Sequence, residues 1–359
     1  MRLRLSASTC RRAHASFGYH FLWLFVAVAP LQASDRCLPV NTQQAASCRQ
    51  SLPFSGPNSG SQIPLYATDP LDVSHPNIER AVIVIHGILL DADDYFVSMV
   101  KAAELAGKLD NTLVLAPQFP DAPAGGPGNQ LYWDSSPDHH WKWGDLSTPK
   151  SKDPTSKDPA GVSSFAVIDI LLERLANNPN FPRLKSLTLI GHSAGGQFLS
   201  RYAVGNASRD FPGIRKHFII ANPSTYLYLD SRRPLSGSVN EFSAPNAADC
   251  PDFDDYHYGM AHRNAYMNRL SVPELVTQFA MSEVSFLLGE QDTLEDGLDE
   301  SCAAMLQGRN RWERGQAYFH YLENYYPSSK HHRVTVPGVG HDHGLIFQSK
   351  EGMATLFGP

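Results

Sequence analysis

The sequence predicts an α/β protein: a mostly parallel central sheet with helices on both faces. Three observations carry that expectation. From Ile63 onward, short β-branched runs alternate with amphipathic segments, the rhythm of strands covered by crossover helices. Residues 81–85 form a nearly continuous apolar run, as a strand buried on both faces requires. Residues 187–190 form another, and it runs straight into Gly191-His192-Ser193-Ala194-Gly195 and a helix-like segment.

The run at 81–85 is a central strand, and 93–105 is the helix after it. Residues 112–116 are the next strand, which Pro117 helps to end. In 163–175, Phe165, Ile168, Leu171, Leu172 and Leu175 recur at helical intervals. The strand at 187–190 leads into a helix at 194–203; later strands are expected at 217–221, 283–288 and 333–336, and later helices at 310–325 and 345–356. Two stretches interrupt the rhythm. Residues 120–159 are loop-like, carry Trp133, Trp141 and Trp143, and end in a near-repeat of Ser-Lys-Asp-Pro at 151–154 and 156–159, read as a solvated linker. Residues 222–281 form an insertion between strands, where a cap over a site fits. The three tryptophans, with Tyr226, Tyr228, Tyr256 and Tyr258 of the insertion, read as core or loop anchors, with pocket lining as the alternative. Nothing demands a second core, so 63–359 is taken as one domain, preceded by an irregular polar arm at 34–62.

The first 33 residues read as an export signal. Arg2, Arg4, Arg11 and Arg12 precede an apolar stretch at 17–29, and Leu31-Gln32-Ala33 offers a cleavage site before Ser34. The stretch is shorter than the ~20 residues of a spanning helix, so no stable membrane span is expected after cleavage. The expected location is secreted or periplasmic. Cleavage would remove four arginines and no acid, taking 30 basic side chains to 26 against 36 acidic ones, a net −10. Such a surface argues against nucleic acid and anionic membranes as partners. Cleavage would also leave Cys37, Cys48, Cys250 and Cys302, an even set that suggests two disulfides in an exported chain. Three pairings are open; Cys37–Cys48 with Cys250–Cys302 is favoured. The first closes a short loop, worth ~3 kcal/mol on the chain-entropy model. Asn206-Ala207-Ser208 is an N-glycosylation sequon.

The chemistry centres on Gly191-x-Ser193-x-Gly195. Between a strand and a helix this pattern is a nucleophile elbow, where glycines flanking the serine let strand and helix nearly touch. A serine hydroxyl needs a base within hydrogen-bond reach and a group that orients the base. Asp292 lies just past the strand at 283–288, where ligands of open α/β sheets gather; Glu290, Asp296 and Asp299 are its rivals. His341 comes after the strand at 333–336 in a Gly-rich loop that can swing an imidazole over the serine, with His343 as rival. His192, inside the elbow, is read as packing. For the developing oxyanion, candidate donors are the backbone N–H of Ala194, at the head of the elbow helix, and of Ile88, in His86-Gly87-Ile88 after the central strand. Adjacent histidines at 139–140, 331–332 and 341/343, and Asp252, Asp254 and Asp255, lack a completing ligand set, so neither a metal nor a cofactor is expected.

In these residues the sequence resembles the α/β-hydrolase superfamily, with His86-Gly87, the Gly191–Gly195 pentad, Asp292 and His341 in that superfamily's order over residue 63 to the end. The pentad with Gly196-Gln197 is also similar to secreted esterases, lipase-like enzymes and polyester depolymerases, although the His-Gly-Gly-Gly oxyanion run of one esterase branch is absent. The resemblance implies Ser193 as nucleophile, His341 as general base then acid, and Asp292 as its orienter. The expected activity is cleavage of carboxylic esters, small or polymeric. Amide or peptide cleavage by the same three residues is the alternative, and a catalytically inactive secreted binding module the third reading.

Overall fold

The computed structural model describes residues 36–54, 60–122, 129–149, 161–208 and 210–358. The signal expected at 1–33 and the near-repeat at 151–159 lie outside them. Eight strands form one sheet: β1 (Arg49–Pro53), β2 (Gln62–Ala67), β3 (Arg80–Ile85), β4 (Thr112–Pro117), β5 (Ser186–His192), β6 (Arg215–Ala221), β9 (Glu283–Gly289) and β10 (His331–Val336). A small separate pair, β7 (Arg233–Pro234) and β8 (Phe242–Ser243), lies in the insertion. The order across the sheet is β1-β2-β4-β3-β5-β6-β9-β10. β1 and β2 run antiparallel to their neighbours, and all pairs from β4 to β10 are parallel.

The apolar runs became strands because both faces are covered. In β3, Ala81, Ile83 and Ile85 enter one core and Val82 and Val84 the other, the two-residue alternation of a pleated strand. The first core also takes in α3 (Ser164–Ala176), α4 (Ala194–Gly205), α5 (Val272–Met281) and α7 (Arg311–Tyr325). The second is covered by α2 (Ala92–Leu105), α8 (His343–Gln348) and α9 (Lys350–Phe357). Two short helices, α1 (Thr42–Ala45) and α6 (Cys302–Met305), complete the set among the described residues. β4 and β5 flank β3 on opposite sides, so the winding reverses at the C-terminal ends of β3 and β5. In open α/β sheets that crevice is where ligands bind.

The structure corrects several sequence expectations. Within the arm expected to be irregular at 34–62, the described residues form α1 and the edge strand β1, and the Cys37–Cys48 disulfide closes the segment between them. Arg36 fixes its start, donating to both Asp69 carboxylate oxygens at 2.8 Å and to the carbonyls of Leu109 and Thr112. The helix expected at 345–356 is two helices. Ser349 is extended (ψ 159°) and its hydroxyl accepts from the Gly352 N–H, capping α9 instead of continuing α8. The core reading of Trp133 and Trp141, by contrast, holds: both are fully buried with Phe119 between them. The insertion ends in a crossover helix, α5, and its Tyr226 and Tyr228 are buried against Tyr318 of α7. The Tyr256 and Tyr258 hydroxyls bond the Trp143 carbonyl and Asp299. The insertion is therefore welded to the outside of α4 and α7. Arg201 of α4 donates to the Thr225 and His257 carbonyls, which explains how all twelve residues of that helix are buried.

The second disulfide joins Cys250 to Cys302, tying the insertion to the loop after β9. Both pairings are those favoured from the sequence. The sequon is closed: Asn206 is buried, and its side chain already serves the Ala203 carbonyl, Ser208 and Lys216. No helix among the described residues is long and apolar enough to cross a membrane.

Candidate active site

Ser193 sits between β5 and α4 at φ 58°, ψ −119°, a region that L-residues avoid and that tight surroundings must enforce. The enforcement is visible in its neighbours. A Cβ on Gly191 would fall 2.2 Å from the Gly195 carbonyl oxygen, and one on Gly195 would fall 2.2 Å from that of Ile85. Strand, helix and the end of β3 are thus closer than any side chain allows. The Ser193 N–H donates to the Ala221 carbonyl at 3.1 Å, which ties the elbow to β6.

Asp292 and His341 come from the next two parallel strands. Asp292 lies just past β9, and its N–H donates to the Gly289 carbonyl at 3.1 Å in a tight turn. His341 ends the loop after β10, and the Gln291 N–H holds that loop through the Val339 carbonyl at 2.9 Å. The three side chains meet. His341 Nδ1 lies 2.7 Å from Asp292 Oδ2, and His341 Nε2 lies 2.9 Å from Ser193 Oγ. A carboxylate only accepts, so Nδ1–H donates to Asp292 and Nε2 accepts from the serine hydroxyl. Asp292 is 1% exposed.

Glu290, Asp299 and His343 are engaged elsewhere. Glu290 accepts from the Gly338 N–H, and Asp299 from Tyr258 and Ser301. His343 faces Ser98 and Asp94 and stacks on Tyr95 at 4.0 Å. His192 lies with its ring 4.5 Å from that of His341 but fully enclosed, between the Tyr95 hydroxyl and the Asn222 amide. Burial above all, then the neighbouring His341, holds its pKa well below the usual imidazole range. It is a neutral packing group.

The loop after β3 is fixed by His86. The Phe119 N–H donates to His86 Nε2 at 3.1 Å, so Nδ1 carries the proton and donates to the Gly87 carbonyl at 2.8 Å. Burial lowers this imidazole to about 4, against the opposing pull of the Gly87 bond. Among the described residues, neither the Ile88 nor the Ala194 N–H donates to a protein acceptor. Ala194 opens α4, where first-turn N–H groups have no intrahelical partner.

Two side chains at the site escaped the sequence reading. Asn222 directly follows β6 with φ 41° and is buried. Its Oδ1 accepts from the Gly289 N–H at 2.8 Å; its Nδ2 lies 3.4 Å from both the Gly340 carbonyl and His192 Nε2. It therefore joins the elbow, the end of the acid strand and the histidine loop. An Asn-Pro pair at a strand end was the available signal. Asn222→Gly keeps the backbone conformation but leaves the Gly289 N–H buried and unpaired. It is expected to cost about 2 kcal/mol, read as a lower urea midpoint with unchanged slope. The other missed residue is Arg311, the first residue of α7, whose Nη1 lies 3.8 Å from Asp292 Oδ1. Nothing in its local sequence separates it from a surface arginine.

A doubly covered parallel sheet with a strained serine elbow at its winding reversal is the architecture of an α/β hydrolase. The chain belongs to the alpha/beta hydrolase family, whose model matches residues 82–355. No curated protein matches it. Among solved structures it is similar to a poly(3-hydroxybutyrate) depolymerase from Bordetella parapertussis, at 19% identity and TM-score 0.56 over 84% of this chain and 87% of the other. It is also similar to poly(aspartic acid) hydrolase-1 from Sphingomonas sp. KT-1, at 20% identity and TM-score 0.54 over 84% of this chain and 96% of the other. At these identities the likeness is one of fold.

Proposed function

We propose that this protein is an exported serine hydrolase that cleaves carboxylic esters through an acyl-enzyme on Ser193. The observation that carries the reading is the unbroken relay from Ser193 Oγ through His341 to Asp292 at the C-terminal edge of the sheet. Ser193 Oγ attacks the ester carbonyl carbon while His341 Nε2 takes its proton. The oxyanion forms beside the Ile88 and Ala194 N–H groups, and one such donor is worth about 3 kcal/mol of barrier. Collapse expels the alcohol, which receives its proton from His341. Water, deprotonated by the same nitrogen, then releases the acid and frees the serine. Asp292 keeps the imidazole in the tautomer that can accept and balances its charge while protonated. Export is supported by two disulfides in the folded chain, the state of an oxidising compartment.

The test is a fluorophosphonate probe together with a substrate panel: p-nitrophenyl esters of increasing acyl length, an insoluble polyester and aminoacyl anilides. The fold likeness to polymer-degrading enzymes motivates the polyester arm. Labelling with faster ester than anilide turnover is expected. Faster anilide turnover would move the substrate to amides, and folded protein that neither labels nor turns over any member would overturn the reading.

A further inference from the structure

The two candidate oxyanion donors sit on segments that meet at one side chain outside the relay, Tyr95 of α2, which is 3% exposed. Its hydroxyl lies 3.2 Å from Nδ1 of His192, inside the elbow. The same hydroxyl crowds the loop after β3. A Cβ on Gly87 would fall 2.7 Å from Tyr95 Oη, whereas the next atoms it would meet, of the same ring, stand at 3.4 and 3.5 Å. One oxygen therefore separates the segment that carries the Ile88 N–H from the segment that carries Ser193 and the Ala194 N–H. The Gly87 carbonyl is held by His86 Nδ1–H and by the Leu90 N–H, which fixes the loop's turn but not its distance from the elbow.

The phenol cannot turn away. Its ring stacks on His343 at 4.0 Å with 9° between the planes, and Phe347 meets it at 6.1 Å and 70°. Both neighbours lie on α8, the helix after His341, and His343 is itself held by Ser98 at 3.1 Å and Asp94 at 3.4 Å. The bond to His192 has a fixed sense. Asn222 Oδ1 is taken by the Gly289 N–H, so the amide turns its Nδ2 to His192 Nε2 at 3.4 Å. An amide nitrogen only donates, so Nε2 accepts, the imidazole proton sits on Nδ1, and Nδ1–H donates to the Tyr95 oxygen. Removing that oxygen leaves a buried N–H unpaired and opens a gap beneath Gly87.

We propose that Tyr95 is a positioning residue for the oxyanion site: its hydroxyl is the spacer that sets the distance between the Ile88 and Ala194 N–H groups. The proposal rests on the serine-hydrolase reading, because donors aimed at a developing charge act through their placement. It also accounts for glycine at 87. The φ of Gly87 lies outside the left-handed region, so the backbone there admits other residues; it is the Tyr95 oxygen that leaves no room for a side chain.

The experiment measures kcat and KM on the best ester of the panel, with active sites counted by fluorophosphonate, in Tyr95→Phe, Gly87→Ala and the double variant of the full chain. Tyr95→Phe is expected to lower kcat per labelled site about tenfold with KM unchanged, less than the loss of a donor outright. Gly87→Ala is expected to lose about 100-fold, because its methyl pushes the loop off the Tyr95 oxygen. Adding Tyr95→Phe to Gly87→Ala removes the clashing atom. The double variant is therefore expected to be about tenfold faster than Gly87→Ala, where independent effects would make it slower still. A Gly87→Ala chain that accumulates folded only when Tyr95→Phe is present reports the same compensation. A tyrosine that merely fills the core would lower the labelled fraction and leave kcat per site unchanged. That result, or a double variant slower than Gly87→Ala, overturns the proposal. A wild type that neither labels nor turns over sinks the hydrolase reading instead, and urea midpoints then decide the spacing role. A loss in Gly87→Ala that Tyr95→Phe relieves upholds it, and additive losses end it.

Discussion

Ser193→Ala is expected to lower kcat for the best ester of the panel by about 10⁴-fold or more and to abolish fluorophosphonate labelling. The size comes from what the hydroxyl does alone. It is 2.9 Å from an imidazole nitrogen free to accept its proton, and the elbow holds it clear of the strand end at φ 58°. His341 can still deprotonate water in the variant, but water lacks the fixed geometry that makes attack effectively unimolecular. Residual rate would come from the oxyanion donors and from substrate binding, so KM should change little while kcat collapses. Steady-state kinetics and the mass of the labelled protein check this. An adduct of unchanged yield in Ser193→Ala would place the nucleophile on another residue. His341→Ala should fall as far, because a serine without its base is a weak nucleophile.

The candidate site was legible in the sequence because each of the three relay side chains stands where a local pattern ends. Three of the strand runs pass directly into the residue that matters: 187–190 into Ser193, 283–288 into Asp292 and 333–336 toward His341. In a parallel sheet those ends share one edge. The register then aligns them, with Ile190 beside Ile219 and Ile220 beside Phe286. What local pattern could not carry is pairing between distant polar segments. β1 reads Arg-Gln-Ser-Leu-Pro with one buried residue, Leu52. Its strand character comes from β2 and from the disulfide beside it. Ser349 breaks the last helix in two by capping α9, a choice invisible to apolar periodicity. For Trp133 and Trp141 the polar, irregular chain around them left core, loop anchor and pocket lining all open; their rings flank Phe119 in the core. Asn222 and Arg311 act through partners remote in sequence. Asn222 reaches residues 289 and 340, and Arg311 reaches 292. Their importance arises only once β6, β9 and α7 are packed together.

Asp292→Asn is expected to cost about 10⁴-fold in kcat while leaving the fold and KM nearly intact. The amide has the carboxylate's shape, so the turn after β9 and the Trp312 bond to the Asp292 carbonyl remain available. The tautomer is what changes. At 2.7 Å from His341 Nδ1, an Asn side chain can offer N–H where the carboxylate only accepts. The imidazole then accepts at Nδ1 and carries its proton at Nε2, facing Ser193 with no lone pair to take the hydroxyl proton. The variant also leaves Arg311 facing a neutral amide, so the buried cation loses its partner and thermal stability should drop measurably. A double-mutant cycle separates the two effects. Ser193→Ala with Asp292→Asn should be hardly slower than Ser193→Ala alone, since both changes disable one device. The stability loss of Asp292→Asn should instead be nearly the same in either background, because Arg311 bonds to Leu294 and Asp296 rather than to Ser193. Asp296→Asn is the control: its carbonyl accepts the Arg311 hydrogen bond and its carboxylate acts on that guanidinium only through its charge, so kcat is expected to stay within about threefold of wild type. Equal losses at 292 and 296 would mean that the field of the loop matters more than the hydrogen bond to His341.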